Sequence, residues 1–512
     1  MTEPLVSVVI PTFNRKVIVQ RAIESVLKQT YKNVEIVVVD DGSTDGTDLI
    51  IKRSYNAPNI KYIYKENGGC GSALNKGIKN SSGDFICWLS SDDYYYDTTT
   101  LETMLEALKV KPEAMVAYSD FFIEYDNASP FTVSHEKMTL HHAKHFDTKQ
   151  ERYLYNFKEC LMNGSTTMFR KEIFKKVGLF NECYKYCQDW DLWFRILYDY
   201  EVEYIAKPLT VYSAHKDAQG LAIMDHRKAY ERQKFEKEKM LVAKHQRLWL
   251  NRGNRPTVCV MLCVKDEEEM IEQCLDDIIQ WADKIVIFDD GSTDKTPELI
   301  RQYPKVVDIY RQKNKGNKRT EGKDRQKLLD MAKNTGCDWL FFIDTDEICE
   351  TRFKWDIYDL ISDKKINLYY MKELNLWRSL THRRVDEMYD KGWFGRMLRN
   401  FPELKIHSEI NEHCCGIPYN IPGASPWYSE ADTNSKKMDV GMIHYGFAYW
   451  DRTIKRYAAR MERDPYRNDK VQGRCIGGWL YYERMIDETH LELEPYEYIK
   501  NQMKIVDDYI IK

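Results

Sequence analysis

The sequence predicts an α/β protein built as two successive domains, each with a mainly parallel central sheet flanked by helices. Two observations carry that prediction. The chain has 512 residues, too many for one ordinary hydrophobic core. A phrase is also repeated within it, VEIVVVDDGSTDGT from Val34 to Thr47 returning as DKIVIFDDGSTDKT from Asp283 to Thr296. In each copy an apolar run ends in two aspartates and a Gly-Ser-Thr-Asp turn before a helical pattern, the order of a strand buried on both faces, a loop and a helix.

The flanking elements repeat as well. Val6 to Ile10 and Val258 to Val264 read as strands, followed by helices over Val17 to Leu27 and Glu267 to Ile279. A third strand in each half runs into acids: Phe85 to Leu89 before Ser90-Ser91-Asp92-Asp93, and Trp339 to Ile343 before Asp344-Thr345-Asp346-Glu347. Between the halves, Asp225 to Arg255 reads as a charged helix and a Gly/Pro-marked break. The expected domains are therefore 1–250, ending in that linker helix, and 251–512.

Composition narrows the function. Lys+Arg 76 against Asp+Glu 80 leaves a net charge of -4, which argues against a surface that tracks nucleic acid. Hydrophobic residues make up 43% of the chain, which excludes general disorder, and 35 tyrosines suit either an extensive amphipathic surface or a groove that faces carbohydrate. The N terminus lacks the pattern of a secretory leader, and no apolar run approaches the roughly 20 residues that span a bilayer. Thirteen cysteines without paired C-x-x-C spacing read as reduced structural thiols, and a cytoplasmic protein is expected.

In an open parallel sheet, ligands collect beyond the carboxyl ends of the strands, where this chain places Asp40, Asp41, Asp289 and Asp290. Asp344 and Asp346 leave a buried strand as alternate acids, a pattern that directs hard oxygen ligands at one divalent cation able to bind a diphosphate. In the first half Asp92 and Asp93 fall at nearly the same interval, but Ser90 removes one carboxylate, so weaker metal binding or fewer protein ligands are expected there. Gly68 and Gly69 permit close backbone approach to a ligand or simply a tight turn. Neither a Walker A nor a Rossmann glycine motif is present, which counts against ATPase and dehydrogenase chemistry.

With SVVIPTFNR, DDGSTD, ENGGCGSALNKGI, SSDD, NGSTTMFRKEIFKKVGLFNE and QDWDLWFR in order, residues 5–220 resemble family 2 glycosyltransferases of the GT-A fold. The resemblance implies sugar transfer with inversion, and Thr12, Asn14, Arg15 and Asp41 seating the nucleotide, with Pro11, Asn67 and Asn75 in the same set. It puts Asp92 near a divalent metal, Asp189 at the general base and His215 close to metal or donor phosphates. CVKDEEEMIEQCL, WADKIVIFDDGSTDKT, GKDRQ and WLFFIDTDE are similar to a branch of lipopolysaccharide-core β-glucosyltransferases. There Lys265, Glu267 and Asp290 would border the nucleotide, Arg325 the donor phosphate, and Asp344, Asp346 and His444 the metal. Glu409 and Glu412 are rival bases, Glu412 favoured.

The expectation is thus a bifunctional enzyme using a uridine-diphosphate sugar, with Mn2+ or Mg2+ (Mn2+ preferred), and an oligosaccharide, lipid-linked or protein-linked glycan as acceptor. Peripheral membrane association is compatible with it. The alternatives are one catalytic domain beside a degenerate binding domain, a non-catalytic carbohydrate-binding scaffold, or a nucleotidyltransferase. Trp190 and Trp193 suit either an acceptor groove or a core.

Overall fold

A computed structural model describes residues 3–125, 138–157, 159–182, 184–214, 242, 255–312, 321–375, 382–384, 393–406, 418–424, 432–444 and 493–495. These residues fall into two compact units, the first built on residues 3–214 and the second on residues 255–444. Most of the expected linker helix and the boundary near 250 lie outside the described residues.

In chain order the first unit contains β1 (Val6–Thr12), α1 (Ile18–Leu27), β2 (Val34–Asp40), α2 (Thr47–Ser54), β3 (Ile60–Tyr64), α3 (Cys70–Lys79), β4 (Phe85–Trp88) and β5 (Tyr94–Tyr95). It continues with α4 (Thr100–Val110), β6 (Ala114–Tyr125), β7 (Met138–His141), α5 (Lys149–Asn156), β8 (Thr167–Arg170), α6 (Ile173–Val177), α7 (Gln188–Asp199) and β9 (Glu201–Ala214). The second unit opens with β10 (Val258–Val264), α8 (Ile271–Ile278), β11 (Lys284–Asp289), α9 (Thr296–Ile300), β12 (Val306–Arg311), α10 (Glu321–Asn334) and β13 (Trp339–Phe342). After these come β14 (Glu347–Cys349), α11 (Thr351–Ser362), β15 (Leu368–Asn375), β16 (His382–Arg384), β17 (Trp393–Arg399), β18 (Ser435–His444) and β19 (Leu493–Pro495).

The two main sheets have one topology. Their strand orders are β3-β2-β1-β4-β8-β6-β9-β5 and β12-β11-β10-β13-β17-β15-β18-β14, and among the described residues only the first carries an added strand, β7 on β6. The first four strands of each are parallel; antiparallel pairs enter at β8 and β17. Strand β1 is buried along its whole length, Ser7 and Thr12 included, as its mainly apolar sequence requires for a strand covered on both faces. On α1 the buried residues Val19, Ala22, Ile23 and Val26 recur at helical spacing and join the core under the sheet. Helix α3 lies so close to the sheet that a Cβ at Gly77 would come within 2.3 Å of a Val9 methyl. Because β1 is paired with β2 on one side and β4 on the other, while β10 is paired with β11 and β13, a ligand crevice opens at the carboxyl ends of both sets. Among the described residues, no helix is long and apolar enough to cross a membrane.

Candidate active sites

The two nucleotide loops are the same hydrogen-bonded device. Asn14 has a positive φ of 52, its N–H donates to Ser43 Oγ at 2.8 Å, and its Oδ1 accepts from Thr44 N–H at 2.8 Å. Asp266 has φ 51, donates to Ser292 Oγ at 3.0 Å and accepts from Thr293 N–H at 2.6 Å. Arg15 N–H and Glu267 N–H reach Thr47 and Thr296 Oγ1 in turn. The short polar side chains suit the left-handed backbone and cap the facing turn.

Of each Asp-Asp pair, the first member holds the loop. Asp40 is fully buried and accepts from Ser43 N–H and Tyr62 Oη; Asp289 is equally buried, accepts from Ser292 N–H, and pairs with Arg311. The second member faces the crevice differently in the two units. Asp41 accepts from Gly68 and Gly69 N–H and pairs with Lys65 at 2.6 Å, and burial raises its pKa against these partners. The Asp290 side chain keeps 45% of its surface exposed, pairs with Lys265 at 3.2 Å and meets Gln312.

Several expected ligand-binding residues are instead spent on structure. Asn75 is buried, donates to Phe180 O and Glu182 and accepts from Phe180 N–H, so it ties α3 to the segment before α7. Asp93 is 2% exposed, and its oxygens take Ser165 Oγ at 2.5 Å and Ser213 N–H at 3.0 Å. Burial, then the neighbouring Asp92, raises its pKa well above the carboxylate range. Pro11 and Thr12 are buried at the end of β1, while Asn67 is exposed and Glu267 is buried.

Asp92 and Asp189 come together. They line one cavity of about 400 Å³ with Cys70, Trp88, Ser90 and Gln188. Asp189 stands in the first turn of α7, and burial pushes its carboxyl up to about 6 against the hydrogen bond from Trp190 N–H. The thiol of Cys70 is pushed up to about 12, first by burial and then by Asp189, Asp41 and Asp92, so three acids surround it. Trp190 and Trp193 are core residues, 5% and 0% exposed, their ring N–H groups donating to Asn156 O and Met162 O. The cavity's aromatic wall is formed by Phe121, Tyr155, Tyr186 and Tyr212. Tyr212 had a visible signal in its place three residues before His215; His215 itself lies outside the described residues.

In the second unit β14 pairs with β18 so that Glu347 lies opposite His444, and His444 Nε2 stands 3.6 Å from Asp346 Oδ2. Asp344 pairs with Arg325 at 3.5 Å. An imidazole nitrogen and a carboxylate oxygen thus stand side by side with Asp344 nearby, donor types that would fit a hard divalent ion if a diphosphate supplied further oxygens. Among the described residues no three His, Cys, Asp or Glu side chains by themselves form a metal-binding group. Glu409 and Glu412 lie outside the described residues. By strand register the counterpart of His444 in the first unit is Tyr212, since Tyr94 pairs with Val211 and places Asp93 opposite Tyr212.

Each unit is a GT-A-like α/β domain, a mixed and mainly parallel sheet flanked by helices with acids at its parallel strand ends. The description Glycosyl transferase family 2 matches residues 7–178 and again 259–404, more than half of the chain, and the protein belongs to that family. An uncharacterized glycosyltransferase of Rickettsia typhi is 41% identical over 207 residues, which is 39% of this chain and 62% of that protein. One from Rickettsia felis is 28% identical over 428 residues, covering 76% of this chain and 67% of the relative. The chain thus spans about two thirds of these relatives' length. A Pasteurella multocida chondroitin synthase is 33% identical over 196 residues, 36% of this chain and 20% of the synthase. Among solved structures, S. aureus TarS 1-349 in complex with UDP aligns at 22% identity and TM-score 0.35, over 47% of this chain and 65% of TarS.

Proposed function

We propose that the chain is a bifunctional inverting glycosyltransferase that moves sugars from uridine-diphosphate donors to hydroxyls of a growing glycan. The observation that carries the reading is the shared cavity of Asp92 and Asp189 at the strand ends of the first unit. Asp189 is the base: its carboxylate takes the acceptor hydroxyl proton while that oxygen attacks the anomeric carbon from the face opposite the leaving diphosphate. Its raised pKa favours this work, because a carboxyl near 6 is a stronger base than an ordinary aspartate and is still ionised at pH 7. Asp92 in the first unit, and Asp346 with His444 in the second, would hold the divalent ion, Mn2+ by preference, which offsets charge on the departing diphosphate.

The second unit is proposed to catalyse its own transfer, its metal set being the fuller of the two, on a donor site of the lipopolysaccharide-core β-glucosyltransferase kind. Tyrosines around the first cavity favour a glycan acceptor, whose sugar faces stack on aromatic rings. We place the reaction in the cytoplasm, with peripheral membrane contact where the acceptor is lipid-linked.

Mass spectrometry of the full chain with Mn2+, a panel of nucleotide sugars and short glycans tests the reading. Two mass increments are expected, one lost in Asp189→Asn and the other in Asp346→Asn. One increment alone, untouched by Asp189→Asn, would leave the first unit a binding domain; release of pyrophosphate instead of UDP would replace the reading with nucleotidyl transfer.

A further inference from the structure

The acid that follows each candidate metal carboxylate is buried, and each unit sets beside its turn an arginine from a different element. In the first unit Arg21 comes from α1. Its Nη1 donates to Glu124 at 3.0 Å, while Nη2 donates to the backbone carbonyl of Asp92 at 3.0 Å and to Ser213 Oγ at 2.6 Å. The guanidinium lies 4.2 Å from the Tyr94 ring centre, and its charge favours the ionised form of buried Asp93. In the second unit Arg396 comes from β17. Its two Nη atoms grip the Glu347 carboxylate at 2.8 and 3.2 Å, and Glu347 Oε2 accepts the Asp344 N–H at 2.9 Å.

Both arrangements act on the same backbone turn. Asp93 N–H donates to Ser90 O at 3.0 Å, and Glu347 N–H donates to Asp344 O at 3.1 Å. The turn that presents Asp92, or Asp344 and Asp346, is therefore clamped from behind by a cation whose own side chain is almost closed to water: Arg21 keeps 10% of its side-chain surface and Arg396 keeps 14%. Arg21 also sits on the helix that follows the nucleotide loop, so one side chain joins that helix to the strand-end acids of β4.

We propose that Arg21 and Arg396 are positioning residues for the two donor sites, each fixing the turn whose carboxylates would hold the ion that accompanies the donor's diphosphate. This rests on the donor-site reading above. A forked, planar guanidinium serves several acceptors at once, which a lysine ammonium on the same stem does not reproduce in geometry. Groups behind a ligand set typically govern affinity by about 10- to 100-fold when removed.

The test uses the full chain carrying Asp346→Asn, so that the Mn2+-supported part of binding is left to the first site, and reads UDP affinity by calorimetry with and without Mn2+. Arg21→Met is expected to weaken Mn2+-supported UDP binding about 10- to 100-fold, with Arg21→Lys recovering part of the loss. Because Arg21→Met leaves Glu124 buried without its partner, Arg21→Met combined with Glu124→Gln removes both charges and keeps a folded protein available, checked by circular dichroism. The double variant is expected to bind as weakly as the single one. A folded double variant that binds UDP as the parent does, with Mn2+ dependence intact, would overturn the positioning role. A parent that binds no UDP at all would sink the donor-site reading itself, an outcome distinct from the first. The mirrored experiment, Arg396→Met in an Asp92→Asn chain, is expected to give the same loss at the second site.

Discussion

The two units share a strand order, a loop hydrogen-bond pattern and the acids at Asp40/Asp289, Asp41/Asp290 and Asp92/Asp346, yet differ at the positions beside those acids. Ser90 stands where the second unit has Asp344, and Lys65, bonded to Asp41, stands where Gln312 meets Asp290. Tyr212 occupies the register position of His444. The first unit adds β7, which pairs Phe121 with His141, and both of these line its cavity; among the described residues the second unit's main sheet has no such added strand. Backbone geometry is thus repeated in the two loops that follow β1 and β10, whereas side chains beside the strand-end acids and at the cavity wall differ. The proposal of two unlike reactions, rather than one performed twice, rests on that division.

The sharpest way to break the comparison is to silence one unit alone. Asp189→Asn should lower first-unit transfer by about 10²- to 10⁴-fold, the usual contribution of a positioned base, while the second product persists at its full rate. Mass-resolved product assays decide this, and loss of both products would show that the units do not act independently. The same carboxyl sets a pH signature. Asp189 works as a base only when ionised, so first-unit turnover should climb through about pH 6 and level off above it. The ascending limb should be missing in Asp189→Asn, and a limb that survives there belongs to another group. A smaller effect is expected from Ser90→Asp, which restores the second unit's carboxylate to the first. The Mn2+ concentration for half-maximal first-unit rate should fall on the order of tenfold, because ligand charge tunes the affinity of oxygen sites. An unchanged Mn2+ response would show that Ser90 does not face the ion.

Much of this was legible in the sequence, and the particular residues show why the rest was not. The repeated DDGSTD phrase and the acids after the third strand announced the fold and both crevices, because a buried parallel strand leaves an unbroken apolar run and its end must be polar. The division of labour inside Asp40-Asp41 was not visible: two adjacent aspartates look alike until Ser43 and Tyr62 are seen to claim the first of them. Trp190 and Trp193 occupied helical spacing that suits a core or a groove equally, and packing chose the core. Arg21 gave no signal at all, since its partner Glu124 lies 103 residues away and an arginine on an amphipathic helix ordinarily reads as solvated. Contacts of that range are products of topology, which local patterns do not encode.

The mildest test asks whether the two nucleotide loops are interchangeable in their physical chemistry. Asn14 and Asp266 are both exposed, both left-handed in φ, and each accepts from the N–H of a threonine while donating its own N–H to a serine. Asparagine and aspartate each tolerate that backbone and offer the same accepting oxygen, so Asn14→Asp and Asp266→Asn should change unfolding free energy by no more than about 0.5 kcal/mol. Alanine keeps neither property. It loses the turn's hydrogen bond and puts an unassisted Cβ at positive φ, so Asn14→Ala and Asp266→Ala should each cost about 1 to 3 kcal/mol in urea unfolding. A swap as costly as alanine at one position alone would show that the loops match in geometry but not in electrostatics, and that the charge of Asp266 has a task in the second unit that Asn14 does not have in the first.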